Sequence, residues 1–323
     1  MVLASLLLAF AATPAVAWDR GDTDVFAIVP EVLGTPIAVE GLTVGPDGNI
    51  YVPTSGFNTH SGGNGPPTLF VFKPNGQLLR QVTITGPATP VLLGLAFHPT
   101  TGALLICDLG GKQVVNVDRH TGVSSVFMTT TGNAGMNGIT FDKFGNVYAS
   151  DSFQGIIWKT GPGGGAGTKW AEHQLLRPDG PNLAPPFGAN GIEFNNAGTM
   201  LFVANTADHN IVQIPVLSGG VAGTPQIFVT GLNAPDGLAI DSHDNLWVAA
   251  NQEDDMVVVD PSGKVIAKLG DFNGLTEDGV VRGLLFPASP AFSKDGEFLY
   301  VTNLALDLRV AGAPLAVDSA WTD

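Results

Sequence analysis

Six segments of this chain share one pattern, and that repetition limits its fold more than any other property. Each segment has an apolar stretch, a turn rich in Gly, Asn and Asp, and a second apolar stretch ending in a polar residue. They read EGLTVGPDGNIYVPTS from Glu40, LGLAFHPTTGALLICD from Leu93, NGITFDKFGNVYASD from Asn137, NGIEFNNAGTMLFVAN from Asn190, DGLAIDSHDNLWVAAN from Asp236 and ASPAFSKDGEFLYVTN from Ala288. Their starts lie 53, 44, 53, 46 and 52 residues apart, a period that fits four strands of ordinary length with their turns. A single four-stranded sheet cannot bury both faces, whereas several packed face to face around an axis can. The expected fold is an all-β, six-bladed β-propeller with four antiparallel strands per blade. The stretch DVFAIVPEVL before the first repeat is expected to add an outer strand to the sixth blade and so close the ring.

Composition agrees with this. The chain has 42 glycines, 23 prolines and 13% charged residues, as suits many short strands and turns better than helices or disorder. A net charge of −15 disfavours nucleic acid and anionic membrane surfaces as partners. Residues 1–17 read as a secretory signal: an apolar run from Val2 to Ala12 precedes Ala15-Val16-Ala17, a small-x-small cleavage pattern. The apolar run is too short to span a bilayer. The mature chain would be a single domain over residues 18–323, secreted or periplasmic, and a monomer by default. Cys107 is the only cysteine, so no intrachain disulfide can form, and its apolar surroundings suit a buried small side chain.

The first two strands of each unit are antiparallel, so the start of the first and the end of the second share one face of the disc, here called the top. The first residues of the six units, Glu40, Leu93, Asn137, Asn190, Asp236 and Ala288, therefore meet at the top of the central channel. Four of them carry oxygen donors. Buried carboxylates need partners, and Ca²⁺ accepts a mixture of carboxylate and amide oxygens. Glu40, Asn137, Asn190 and Asp236 are thus the candidate metal ligands, with Ca²⁺ the expected cofactor. Zn²⁺ would call for His or Cys, which the set lacks.

The motifs Glu40-Gly-Leu, Asn137-Gly-Ile, Asn190-Gly-Ile and Asp236-Gly-Leu resemble the family of senescence marker protein, gluconolactonase and luciferin-regenerating-enzyme-like proteins. Paraoxonase and diisopropylfluorophosphatase belong to its wider circle. The resemblance implies a calcium-dependent hydrolase of a lactone or related ester, with a small-molecule substrate and a catalytic Ca²⁺ held by the four residues. Leu93 stands where paraoxonases carry a histidine, which argues against a histidine-driven mechanism. Asp236 is the candidate catalytic base or nucleophile, and Asp151, at the end of a second strand, a further candidate acid or base. Asn137, Asn205 and Arg282 are candidate substrate-binding residues. The competing reading is a non-catalytic propeller that binds a ligand or protein and uses calcium for support. A lyase or synthase on the same scaffold is a third.

Overall fold

The computed structural model describes residues 20–21, 23–32, 38–56, 66–179, 187–277 and 280–305. It is an all-β propeller. Among the described residues the only helices are two short 3-10 turns, Gln174–Leu176 and Asn251–Glu253, and none is long and apolar enough to cross a membrane.

Five repeats build four-stranded antiparallel sheets. Blade 1 comprises Thr43–Val44, Ile50–Pro53, Thr68–Phe72 and Leu78–Thr83. Blade 2 comprises Leu92–Phe97, Leu104–Asp108, Gln113–Val117 and Ser124–Thr129, with Gly165–Ala166 added in parallel at its rim. Blade 3 comprises Met136–Phe141, Val147–Asp151, Ile156–Thr160 and Thr168–Glu172. Blade 4 is made of Ala189–Phe194, Met200–Asn205, Asn210–Leu217 and Gln226–Thr230, and blade 5 of Pro235–Ile240, Leu246–Ala250, Asp255–Val259 and Val265–Leu269. The inner strands of blades 2 to 5 begin within a residue of the repeat starts read from the sequence.

The expectation of six four-stranded blades is corrected here. Among the described residues the sixth repeat is a two-stranded hairpin, Pro287–Phe292 with Leu299–Asn303. Of the expected closing strand, residues 24–33, residues 24–31 form no strand pairing, Val32 makes an isolated bridge, and Leu33 lies outside the described residues. Pro30 lacks an N–H to donate to a ladder. The segment instead lies against the hairpin through side chains, with the Phe26 and Tyr300 ring centroids 4.6 Å apart. Arg20 anchors its start on blade 5, pairing with Asp271 at 2.6 Å and Asp255 at 3.2 Å. The proposed signal peptide, residues 1–17, lies outside the described residues.

Apolar clusters fill the spaces between neighbouring sheets. Leu105, Val114 and Met128 of blade 2 meet Met136, Ala149 and Trp158 of blade 3. Tyr148 and Ile157 of blade 3 meet Ile192, Val203 and Val212 of blade 4. The hairpin has a cluster on each side. Phe292, Leu299 and Val301 pack on Trp247 and Val258 of blade 5, while Ala291 and Tyr300 pack on blade 1 around Val39, Val52 and Phe70. Cys107 is fully buried, as its sequence context predicts.

Two features near the axis govern how the inner strands stand. The second residue of five units is glycine. A Cβ on Gly94, Gly138 or Gly237 would lie 2.5 to 2.6 Å from the carbonyl oxygen of Asn137, Asn190 or Ala288 on the following inner strand. Only glycine allows the strands to approach so closely. In addition, the register between first and second strands shifts at this point in each of these pairs, as between Leu92 and Leu95, Ala189 and Ile192, and Pro235 and Leu238. These are β-bulges with two residues opposite one, and such bulges re-aim side chains.

Candidate metal centre

The bulged residues of blades 3, 4 and 5 are Asn137, Asn190 and Asp236. Glu40 holds the corresponding repeat position ahead of the first strand of blade 1, and all four are buried. Glu40 Oε2 and Asp236 Oδ1 are buried with no hydrogen-bond partner. Two orphaned acceptors, one on each of two carboxyl groups, are costly in a protein interior. Burial holds the Glu40 carboxyl well above the ordinary range, and the nearby Asp236 charge raises it further. Burial likewise raises Asp236, against the effect of the Asn251 and Asn190 amides, which favour its ionised form. Each carboxylate is thus short of positive charge.

A second tier of side chains holds these residues. Asn251 donates from Nδ2 to Asp236 Oδ2 and to the Pro287 carbonyl, each at 2.8 Å. Asn190 Nδ2 donates to Thr206 Oγ1 at 2.9 Å, and Thr206 donates to the Pro235 carbonyl at 2.7 Å. Asn137 Nδ2 donates to Ser152 Oγ at 3.1 Å, and Ser152 donates to the Ala189 carbonyl at 2.7 Å. Opposite the bulges, Ser150 Oγ donates to the Asn190 carbonyl at 2.5 Å, and Thr302 Oγ1 donates to the Glu40 carbonyl. The hairpin is therefore joined to the Glu40 strand as blade 3 is joined to the Asn190 strand.

Other residues singled out from the sequence lie elsewhere. Asp151 is fully buried, but its Oδ1 accepts from the N–H groups of Gly135, Phe153 and Gln154. Its Oδ2 accepts from Gln154 Nε2 and Trp158 Nε1 at 2.7 and 3.0 Å. With five donors committed to it, Asp151 braces a turn and has no lone pair placed for proton transfer. Asn205 spends its amide hydrogens on the Leu175 and Arg177 carbonyls at 2.9 and 2.8 Å, tying down the preceding loop. Arg282 is exposed on the short strand Val281–Gly283. Ser152 and Thr206 were missed because Asp151 and Asn205, their immediate neighbours, are the more conspicuous polar residues. Asn251 follows directly on the second strand of blade 5, which ends at Ala250. Aligning all six second strands shows Asn251 one place further on, in the position of Ser152 and Thr206.

Further down the inner strands, Glu193 accepts from Thr140 Oγ1 at 2.7 Å and from the Phe194 N–H at 3.0 Å. Burial raises it to about 7. Beside the axis, burial and then the Glu40 charge push the Cys107 thiol up, which keeps it protonated and unreactive.

Among the described residues, no group of three His, Cys, Asp or Glu side chains is arranged to hold a metal. The axial set differs in kind, combining two carboxylates with two amides. That donor set suits a hard cation such as Ca²⁺, and the two orphaned oxygens are the atoms such an ion would satisfy.

Fold and site together define a β-propeller with a buried, one-sided cluster of oxygen donors on its axis. The chain belongs to the SMP-30/gluconolactonase/LRE-like family, whose model matches residues 87–270. It is 24% identical over 211 residues to the lactonase drp35 of Staphylococcus aureus strain MRSA252, covering 62% of each chain. It thus spans about three-fifths of the length of that relative. Among solved structures it resembles a gluconolactonase from Xanthomonas campestris, with a TM-score of 0.61, 13% identity and coverage of 83% of this chain and 84% of that one. It also resembles regucalcin, a calcium-binding protein from Agrobacterium tumefaciens, with a TM-score of 0.55, 19% identity and coverage of 80% and 78%.

Proposed function

We propose that this protein is a calcium-dependent hydrolase of a lactone or related ester, with Glu40, Asn137, Asn190 and Asp236 holding the ion. The observation that carries this reading is the pair of buried, unpartnered oxygens, Glu40 Oε2 and Asp236 Oδ1. Family membership and the similarity to a lactonase support the reaction class. The hairpin's packing between blades 5 and 1 supports closure of the propeller at this point. Residues 1–17 support export from the cytoplasm.

A bound Ca²⁺ would polarise the substrate carbonyl and neutralise the oxyanion that forms there. Asp236 is the base. Asn251 holds its Oδ2, and Oδ1, the atom that would also face the ion, has a second lone pair to accept a proton from the attacking water. The water oxygen bonds to the carbonyl carbon and the ring C–O bond breaks. The proton passes to the departing oxygen, and the product is the open hydroxy acid. Glu40 supplies charge, and the two asparagines would add neutral Oδ1 donors to the ion.

The test is a lactone panel with calcium, with a chelator, and with Asp236→Asn. Chelation is expected to lower the melting temperature and abolish turnover. Asp236→Asn is expected to lower kcat by about a hundredfold or more. Turnover that survives both treatments would overturn the proposal.

A further inference from the structure

The second-tier residues differ from blade to blade in a way that follows the chemistry of the residue they hold. Ser152, Thr206 and Asn251 come 15, 16 and 15 residues after Asn137, Asn190 and Asp236. Each also donates to the carbonyl that precedes the next blade's bulged residue, at Ala189, Pro235 or Pro287. A hydroxyl has one proton. Ser152 and Thr206 give theirs to those carbonyls, so toward the asparagine they can only accept. Each asparagine must therefore turn its Nδ2 to the hydroxyl, which leaves Oδ1 as the amide's free end. Asp236 is an acceptor and needs a donor. There the second-tier residue is Asn251, whose amide has two hydrogens, one for Pro287 and one for Asp236 Oδ2.

We infer that Ser152, Thr206 and Asn251 are positioning residues that set the polarity of the axial site, so that Asn137 and Asn190 turn their Oδ1 atoms, and Asp236 its Oδ1, to a cation. The inference rests on the calcium reading. It adds that the site's preference for a cation is set by proton counting one layer out. Without the Thr206 hydroxyl, the Asn190 amide is free to rotate and point N–H groups at the ion. With serine at 251, one proton must choose between Pro287 and Asp236.

The experiment is calorimetric titration of the calcium-stripped protein with Ca²⁺, with melting temperatures recorded in chelator as a measure of folding. Thr206→Val and Asn251→Ser are expected to bind calcium about ten- to a hundredfold more weakly than wild type. Thr206→Ser, which keeps the hydroxyl, should bind like wild type. That rescue separates orientation from mere packing. If Thr206→Val does not fold in chelator, Ser152→Ala replaces it with the same expectation. Wild-type protein that fails to bind calcium would remove the calcium reading itself. Wild-type binding together with undiminished binding by the folded Val (or Ala) and Ser variants would overturn the positioning role alone.

Discussion

Asp151 and Asp236 are both buried aspartates on the top face, and their surroundings give them opposite duties. Asp151 is saturated by N–H donors, so Asp151→Asn should place an amide hydrogen against Gln154 and Trp158. We expect a stability loss of about 1–3 kcal/mol, read as a lower urea midpoint, with calcium affinity unchanged. Glu193 offers a pH test. Its folded-state value, about 7, lies above the ordinary 4.5, so the native state keeps this proton longer than the unfolded chain does. Its stabilising contribution is full below pH 4.5 and is lost as pH rises through about 7. The melting temperature should therefore fall across that window by more in wild type than in Glu193→Gln, and equal slopes would refute the assignment. At this scale the four axial residues were legible, because a shared register and oxygen-bearing side chains can be seen in a string of letters. The outer tier was not. Neighbouring residues on a strand face opposite ways, and the bulge that decides whether Asp151 or Ser152 faces the axis leaves no mark in composition.

The bulge and its glycine act as a unit, the one turning a side chain toward the axis and the other letting the next strand come close. Gly138→Ala would bring a methyl group to 2.6 Å from the Asn190 carbonyl oxygen. The strands must part, at a cost of about 1–3 kcal/mol. Because Asn190 is displaced as well, calcium affinity should fall together with the melting temperature; a change in stability alone would detach the glycine from the site. Strand pairs were readable from alternating apolar residues and their turns. The segment at residues 23–31 was misread as a strand because Val25, Ile28 and Val29 look strand-like. Pro30 and the anchoring of Arg20 and Phe26 by their side chains favour a strap that pairs at most through the isolated bridge of Val32.

Across the whole molecule, one repeat differs from the others. Blades 1 to 5 each pair four strands, whereas the described sixth repeat pairs two, backed by a strap that forms no ladder. The period of about 50 residues made a circular arrangement legible. Fewer ladder bonds mean a lower free energy of local opening. Amide protons of Leu299–Asn303 should therefore exchange with solvent before those of Val147–Asp151 or Met200–Asn205, as hydrogen-exchange mass spectrometry can measure. This hairpin also touches the site twice, through Thr302 on the Glu40 carbonyl and through the Pro287 carbonyl that Asn251 holds. Opening it would release one ligand strand and loosen the support of another. Bound calcium would then weigh against that opening by mass action, by about 2.7 kcal/mol at a hundred times its dissociation constant. The lifetime of the folded protein would rise and fall with the free calcium around it, making this hairpin also a gauge of its surroundings.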